Sequence, residues 1–293
     1  MNSDYFEFNT EKRGLNRYLW CLRKTYNVFK GDYQLIFVQN PSIFLALFAV
    51  MLKVFFRRIV VIDAHNAGVY PKENKYPLLT KVNFLILRYA DFVIVTNQPL
   101  VKMLEGYGIK AFEFTDPLPD ISFSSNNDLR KEYVFIICSW AEDEPIELYL
   151  DTARQMPSTL FKITGNYHKY TNDLTNIPSN VELLGFIDKN EYESSLVNSS
   201  LVLDLTNRQD CLVCGAYEAI SACRPVVLTD NEVNRKVFKN IALYSKLDVH
   251  SLKNAVLTGI STDEHNVENF KYEYMKSLED KSRVFLENIP LRS

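Results

Sequence analysis

Asp210 and Glu218 are the residues of this chain whose types and setting most clearly invite chemistry. They open the stretch DCLVCGAYEAISACRPVVLTD, residues 210–230, which reads as loop, helix, tight turn and strand. Gly215 punctuates the start of the helix AYEAISAC. Arg224-Pro225 ends it, because proline cannot continue a helix and biases its predecessor towards extended conformations. Val226 to Leu228 is then a short apolar strand, so the stretch is an αβ half unit of a parallel sheet. With 36 acidic residues in 293, chance gives roughly four pairs at this separation, and spacing alone carries nothing. The context carries more. One carboxylate lies on the loop and the other early in a helix whose unpaired N–H groups attract anions, an arrangement suited to a phosphate with sugar rings on either side.

These residues resemble the acidic-x7-Glu signature and the following EA-small-P-V-V segment of the GT-B glycosyltransferases, family 4 above all. Asp210 stands where the usual first residue is Glu, and Cys223 near the place of a common glycine. Three further segments resemble a narrower family, the chitobiosyl-diphosphodolichol β-mannosyltransferases. VQNPSIF at 38–44 and VIDAHNAGVY at 61–70 are similar to its VQNPP and IDWHNYGY segments, and SWAEDE at 139–144 to its SWTEDE. The resemblance implies an α/β fold of GT-B type, with two Rossmann-like domains carrying parallel sheets and facing a cleft. Residues 1–120 would be a short acceptor-side domain lacking its first βα unit or units. Residues 129–266 would bind the nucleotide sugar, and 267–293 would form a helix returning to the first domain.

The same resemblance implies roles. Glu218 accepts both ribose hydroxyls of the donor nucleotide and Asp210 a hydroxyl of the transferred sugar, while the N–H groups around Cys211, Leu212, Val213 and Cys214 face the diphosphate. Ser139 and Trp140, Gly165 and Asn166, and Phe186 and Ile187 follow three strands of the second domain and complete the donor side. His65 joins Asp210 as a catalytic candidate, since a neutral imidazole can donate to a phosphate or sugar oxygen and a protonated one can neutralise a leaving diphosphate. Asn40 and Asn66 lie on the acceptor side, just past the strands Leu35–Val38 and Ile59–Ile62 of a βαβ unit, whose functional edge is the carboxyl end of its strands. Blander readings stand beside these: His65 caps its loop, Phe186 is a packed strand-end aromatic, and Glu218 is an acid favoured by the helix dipole.

The Arg and Lys that many family 4 enzymes place after the first strand of the second domain are missing, which leaves helix N-termini with Lys162, His168 or Lys169 for the diphosphate. Cys211-x-x-Cys214 has neither a second CxxC nor a His pair at ligand spacing, so no metal site is expected. No cofactor is expected either, the nucleotide-diphosphate sugar being a substrate. Helix dipoles and cations can stabilise the departing diphosphate without a metal.

Composition bounds the rest. At 293 residues and 47% hydrophobic content the chain has material for two domains. A net charge of -3 gives no global field for nucleic acid. Five cysteines fit reduced thiols in a cytoplasmic protein, and MNSDYFEF lacks the pattern of a signal peptide. The apolar run Ile43–Phe56 reaches only about 20 Å as a helix, short of a hydrocarbon core of roughly 30 Å. Residues 11–30 carry Lys12, Arg13, Arg17, Arg23, Lys24 and Lys30 against Glu11 alone, with Leu15, Leu19, Leu22, Tyr26 and Phe29 at helical spacing. They read as a helix on an anionic lipid surface, or as one packed on its own sheet with a solvated basic side; both can hold. The polar run Ser122–Asp128 reads as the linker.

The expectation is therefore a metal-independent hexosyltransferase-type enzyme. It would move a sugar from a nucleotide-diphosphate sugar to a lipid-linked or polysaccharide acceptor at the cytoplasmic face of the cell membrane, in polysaccharide or glycoconjugate synthesis. The alternative is a non-catalytic GT-B subunit that binds nucleotide or a partner glycosyltransferase chain, with a second polypeptide completing the short N-terminal domain. The sugar, the base, the acceptor and the choice between retention and inversion stay open.

Overall fold

The computed structural model describes residues 4–40, 42–64, 66–121, 133–170, 176–209, 211–262 and 265–290; Asn40 and Asn66 are described by their backbone. His65, Asp210 and the expected linker 122–128 lie outside the described residues. The chain divides into two compact units, Met1–Thr115 with Arg283–Ser293, and Asp116–Ser282.

The first unit runs α1 (Gly14–Lys30), β1 (Leu35–Asn40), α2 (Ile43–Phe56), β2 (Ile59–Ala64), α3 (Asn66–Val69), α4 (Pro77–Leu87), β3 (Phe92–Val95), α5 (Gln98–Gly106) and β4 (Ala111–Glu113). The strands form one parallel sheet in the order β1-β2-β3-β4. Val60, Val61 and Ile62 are completely buried, as a central parallel strand covered on both faces requires. Boundaries follow local chemistry. Arg57 takes the left-handed conformation (φ 52°) to end α2, Pro77 sits at the start of α4 where a missing N–H costs nothing, and the Asn97 side chain accepts from Leu100 N to cap α5. β1 runs past Val38, so that Asn40 is in register with Ala64.

The second unit runs β5 (Tyr133–Ile136), α6 (Ile146–Arg154), β6 (Leu160–Thr164), β7 (Val181–Gly185), α7 (Lys189–Val197), β8 (Leu201–Asp204), α8 (Cys214–Ser221), β9 (Val226–Thr229), α9 (Glu232–Phe238), β10 (Leu243–Ser245), α10 (Val249–Ile260) and α11 (His265–Glu287). Its six strands are parallel in the order β10-β9-β8-β5-β6-β7. Alternate residues feed two cores: Val134 and Ile136 pack with Tyr149, Leu150, Leu252 and Val256 on one face, and Phe135 and Val202 with Ala216, Ile220 and Phe238 on the other.

α11 contributes to both units. Val267, Phe270 and Tyr274 join the α8 side of the second core, and Tyr274 donates its hydroxyl to the Asp116 carbonyl at 2.7 Å. Further on, Phe285 lies within ring contact of Phe92, Phe112 and Phe114 on the first sheet. Among the described residues no helix is long and apolar enough to cross a membrane.

Candidate functional site

In the second sheet the strand order reverses between β5 and β8, and in open parallel sheets the crevice at such a switch point, beyond the carboxyl ends of the strands, is where ligands bind. Because all six strands are parallel, the loops after β5, β6, β7 and β8 share one edge. Ser139 and Trp140, Gly165 and Asn166, Phe186 and Ile187, and Cys211 to Val213 all fall on those four loops, and Cys214 begins the helix that follows.

Close approach fixes the β5 and β6 ends. Gly165 has φ 89°, and a Cβ there would lie 2.0 Å from the Cys138 carbonyl oxygen, so only glycine fits. The Thr164 hydroxyl accepts from Cys138 N at 3.1 Å, and the Trp140 indole N–H donates to the Thr164 carbonyl at 2.8 Å. Trp140 is buried against Tyr167 and Tyr170, with its one side-chain donor engaged by backbone. Asn166 is exposed, and its side chain caps the short turn Tyr167–Lys169 by accepting from His168 N. Phe186, beyond the outer strand, is 91% exposed, a flat apolar surface open to solvent.

The acidic loop Glu142–Glu144 is largely satisfied from within. Glu144 accepts from Ser139 N and Ser139 Oγ at 3.0 Å each and from Ala141 N at 2.8 Å, so it shapes the loop. Asp143 meets Arg208 across the switch point, with Oδ2 3.1 Å from Nε, and accepts from the Thr206 hydroxyl at 2.8 Å. The two loops flanking the switch point are thereby tied together, and a cation stands between them. Arg208 is the positive charge that a search confined to the stretch after β5 overlooks, because it follows β8. Lys162, considered for the diphosphate, lies within β6, pairs with Glu182 at 2.9 Å and sits over the Tyr133 ring.

α8 begins without a cap from its own Val213. The buried Asp204 carboxyl, at the end of β8, takes that place and accepts from Gly215 N at 2.9 Å. Burial raises the Asp204 carboxyl well above the usual carboxylate range, with the negative charges of Glu144, Glu218 and Asp143 adding to it, against the opposing pull of the Gly215 N–H. A Cβ on Gly215 would lie 2.4 Å from Asp204 Oδ2, so the glycine is the second residue of the helix, where the carboxyl needs room, and does not precede the helix as its sequence position implied. The helix closes with bonds from Arg224 N to Ala219 O and Cys223 N to Ile220 O, a Schellman arrangement that holds Cys223 at φ 56°. That conformation accounts for a glycine in the related motif.

Glu218, half-buried on the second turn of α8, accepts at Oε2 from the Tyr192 hydroxyl of α7. Burial first, then the charge of Glu218, pushes the Tyr192 phenol far upward, so it stays a donor. An ionised carboxylate offers about four acceptor positions, and one phenol leaves capacity for two hydroxyl donors. Tyr192 and Asp204 carry no local motif, and the sequence reading passed over both. Cys211 and Cys214 are not joined in a disulfide. Among the described residues no cluster of three or more His, Cys, Asp or Glu is placed to hold a metal ion.

In the first unit β1 and β2 are parallel, so Asn40 and Asn66 fall at neighbouring strand ends. The segment after β2 is held from below by the buried Asn83, whose amide donates to the Gly68 carbonyl at 2.7 Å and the Val69 carbonyl at 3.2 Å.

Two parallel α/β sheets, the second with its order reversed at β5 and β8, define a GT-B fold. Solved structures share it: HepE of Anabaena in complex with UDP and glucose matches 94% of this chain and 82% of its own at 14% identity, with a TM-score of 0.75. Trehalose-6-phosphate synthase from E. coli bound with UDP-2-fluoro glucose matches 94% of this chain and 79% of its own at 11% identity and TM-score 0.68, and TarM 92% and 58% at 13% and 0.65. At these identities the likeness carries the fold. No protein-family model matches the sequence, and no curated protein matches it by sequence.

Proposed function

We propose that this chain is a GT-B glycosyltransferase that takes a sugar from a nucleotide-diphosphate sugar held at the β5/β8 switch point. Glu218, oriented by Tyr192, is the observation that carries the reading: a presented carboxylate on the helix after β8, suited to a pair of ribose hydroxyls. The loops after β5, β6 and β7 supply the remaining donor contacts, with Phe186 as a surface for a flat ring, and Arg208 adds positive charge beside the diphosphate. HepE and trehalose-6-phosphate synthase, both solved with UDP-containing ligands, support the same choice of donor class. In this reading Asp210 and His65 each have a catalytic role, Asn40 and Asn66 serve a lipid-linked or polysaccharide acceptor, transfer is of a hexose without a metal, and the chain is family 4-like and works at the cytoplasmic membrane face. The segments at 38–44, 61–70 and 139–144 support that narrower assignment.

Titration calorimetry with a panel of nucleotide sugars, wild type beside Glu218→Ala, tests this, followed by hydrolysis of any binder. Binding lost in the variant and slow sugar release by the wild type is the expected result; no binding to any nucleotide sinks it. A second reading, a non-catalytic subunit that binds nucleotide or a partner chain, draws on Asp204, whose carboxyl already occupies the start of α8 where a diphosphate would otherwise sit. Binding without sugar release selects it.

A further inference from the structure

α2 lies against both α1 and α4 and on β1 and β2, and buried residues of all three helices share one core with the first sheet. An ordinary surface helix turns its apolar stripe inward and charges outward. These three also present apolar side chains to solvent. On α2, Leu47, Met51 and Phe55 stand outward at i, i+4, i+8, Phe55 at 82% exposure. On α4, Leu78 and Leu85 do the same at 76% and 55%, and on α1 Leu15 and Leu19 at 74% and 56%. Three adjoining helices therefore share an uncovered apolar face.

Charge says what that face meets. The 17, 14 and 11 residues of α1, α2 and α4 include no Asp or Glu, although the chain has 36 acids in 293 residues; at the chain's own frequency roughly five would fall there. Their charged residues are Arg17, Arg23, Lys24, Lys30, Lys53 and Lys81, all positive. Lys53 is paired with Asp91. A second copy docked symmetrically on this face would oppose cation to cation with no acid to pair, a cost that disfavours self-association. An apolar face flanked by cations without acids is instead complementary to an anionic lipid surface, and none of the three helices is long enough to span it.

We propose that α1, α2 and α4 together form a monotopic docking face, with the outer apolar residues of α2 and α4 entering the headgroup boundary of an anionic bilayer and the basic α1 lying along it. The proposal extends the lipid reading of residues 11–30 to a surface of three helices. It stands on the first unit alone and does not need the donor site.

Flotation of the full chain with vesicles of phosphatidylglycerol and phosphatidylcholine, against phosphatidylcholine alone, tests it. The wild type floats with the anionic vesicles and not with the neutral ones. Phe55→Glu with Leu85→Glu, both exposed positions, lowers partitioning by about tenfold or more per site, and Arg17→Gln with Lys24→Gln by about fivefold per charge at low salt. Circular dichroism and nucleotide binding on the same preparations show that fold and second unit are intact, so loss of one activity is distinguished from loss of the other. A folded wild type that stays unbound at low salt overturns the proposal, as does equal binding to neutral vesicles. A dimer in sedimentation that Phe55→Glu dissociates assigns the face to a second copy and overturns it as well.

Discussion

The hydroxyl of Tyr192 on α7 is donated to Oε2 of Glu218 on α8, joining residues 26 apart in sequence. The bond sets the orientation of the carboxylate before any ligand arrives. Tyr192→Phe removes it while keeping the ring that packs on Phe135. Hydrogen bonds to charged groups contribute about 1.5–3 kcal/mol; the variant is expected to weaken nucleotide affinity roughly tenfold with a smaller change in thermal stability. Equal affinity in calorimetry would make the bond a packing detail.

Arg208 separates stability from binding in the same way. Its pairing with Asp143 is partly exposed, and such pairs contribute up to about 1 kcal/mol. Arg208→Ala is expected to change the urea midpoint little and nucleotide-diphosphate affinity by about tenfold, with nucleoside affinity unchanged; measuring both ligands checks that the charge acts on phosphate.

Asp204 predicts a pH dependence. Its folded carboxyl is raised above the unfolded value of about 3.9, so its contribution to stability is complete below that value and is lost as pH rises through the folded one. Asp204→Asn keeps an acceptor for Gly215 N and carries no charge. Urea unfolding of this variant is expected to show a flatter loss of stability above about pH 4 than the wild type; parallel profiles would contradict the assignment.

Two backbone positions give opposite expectations. Gly165→Ala adds a Cβ 2.0 Å from a carbonyl oxygen at φ 89° and is expected to cost more than about 3 kcal/mol. Cys223→Gly relieves a left-handed residue at φ 56° and is expected to stabilise by roughly 1 kcal/mol. Equilibrium unfolding of both variants measures the contrast.

The elements that announce themselves by apolar runs were legible: Ile43–Phe56 is a helix over those same residues, Val226–Leu228 lies within the strand Val226–Thr229, and the Arg224-Pro225 break falls where α8 has ended. That Glu218 lies on a helix was legible because the helical pattern around it is local. Its partner Tyr192 was not, since nothing in KNEYESSLV marks one tyrosine for a carboxylate on another helix. Gly215 was misplaced by two residues for a related reason: the group capping α8 is Asp204, from the preceding strand, and a tertiary cap leaves no mark at the helix start. The outward apolar residues of α2 were legible as apolar and illegible as exposed, because periodicity does not say which side a neighbour covers.

The double membership of α11 bears on how the chain is made. The first sheet is synthesised before α11, yet Phe285 and Ile289, which pack with Val61, Phe92, Phe112 and Phe114, come from near residue 290. Until they emerge from the ribosome, a patch of aromatic rings on that sheet has no cover. The first sheet therefore completes its packing only after α11 has been made, and in the interval its exposed rings are open to non-native contacts.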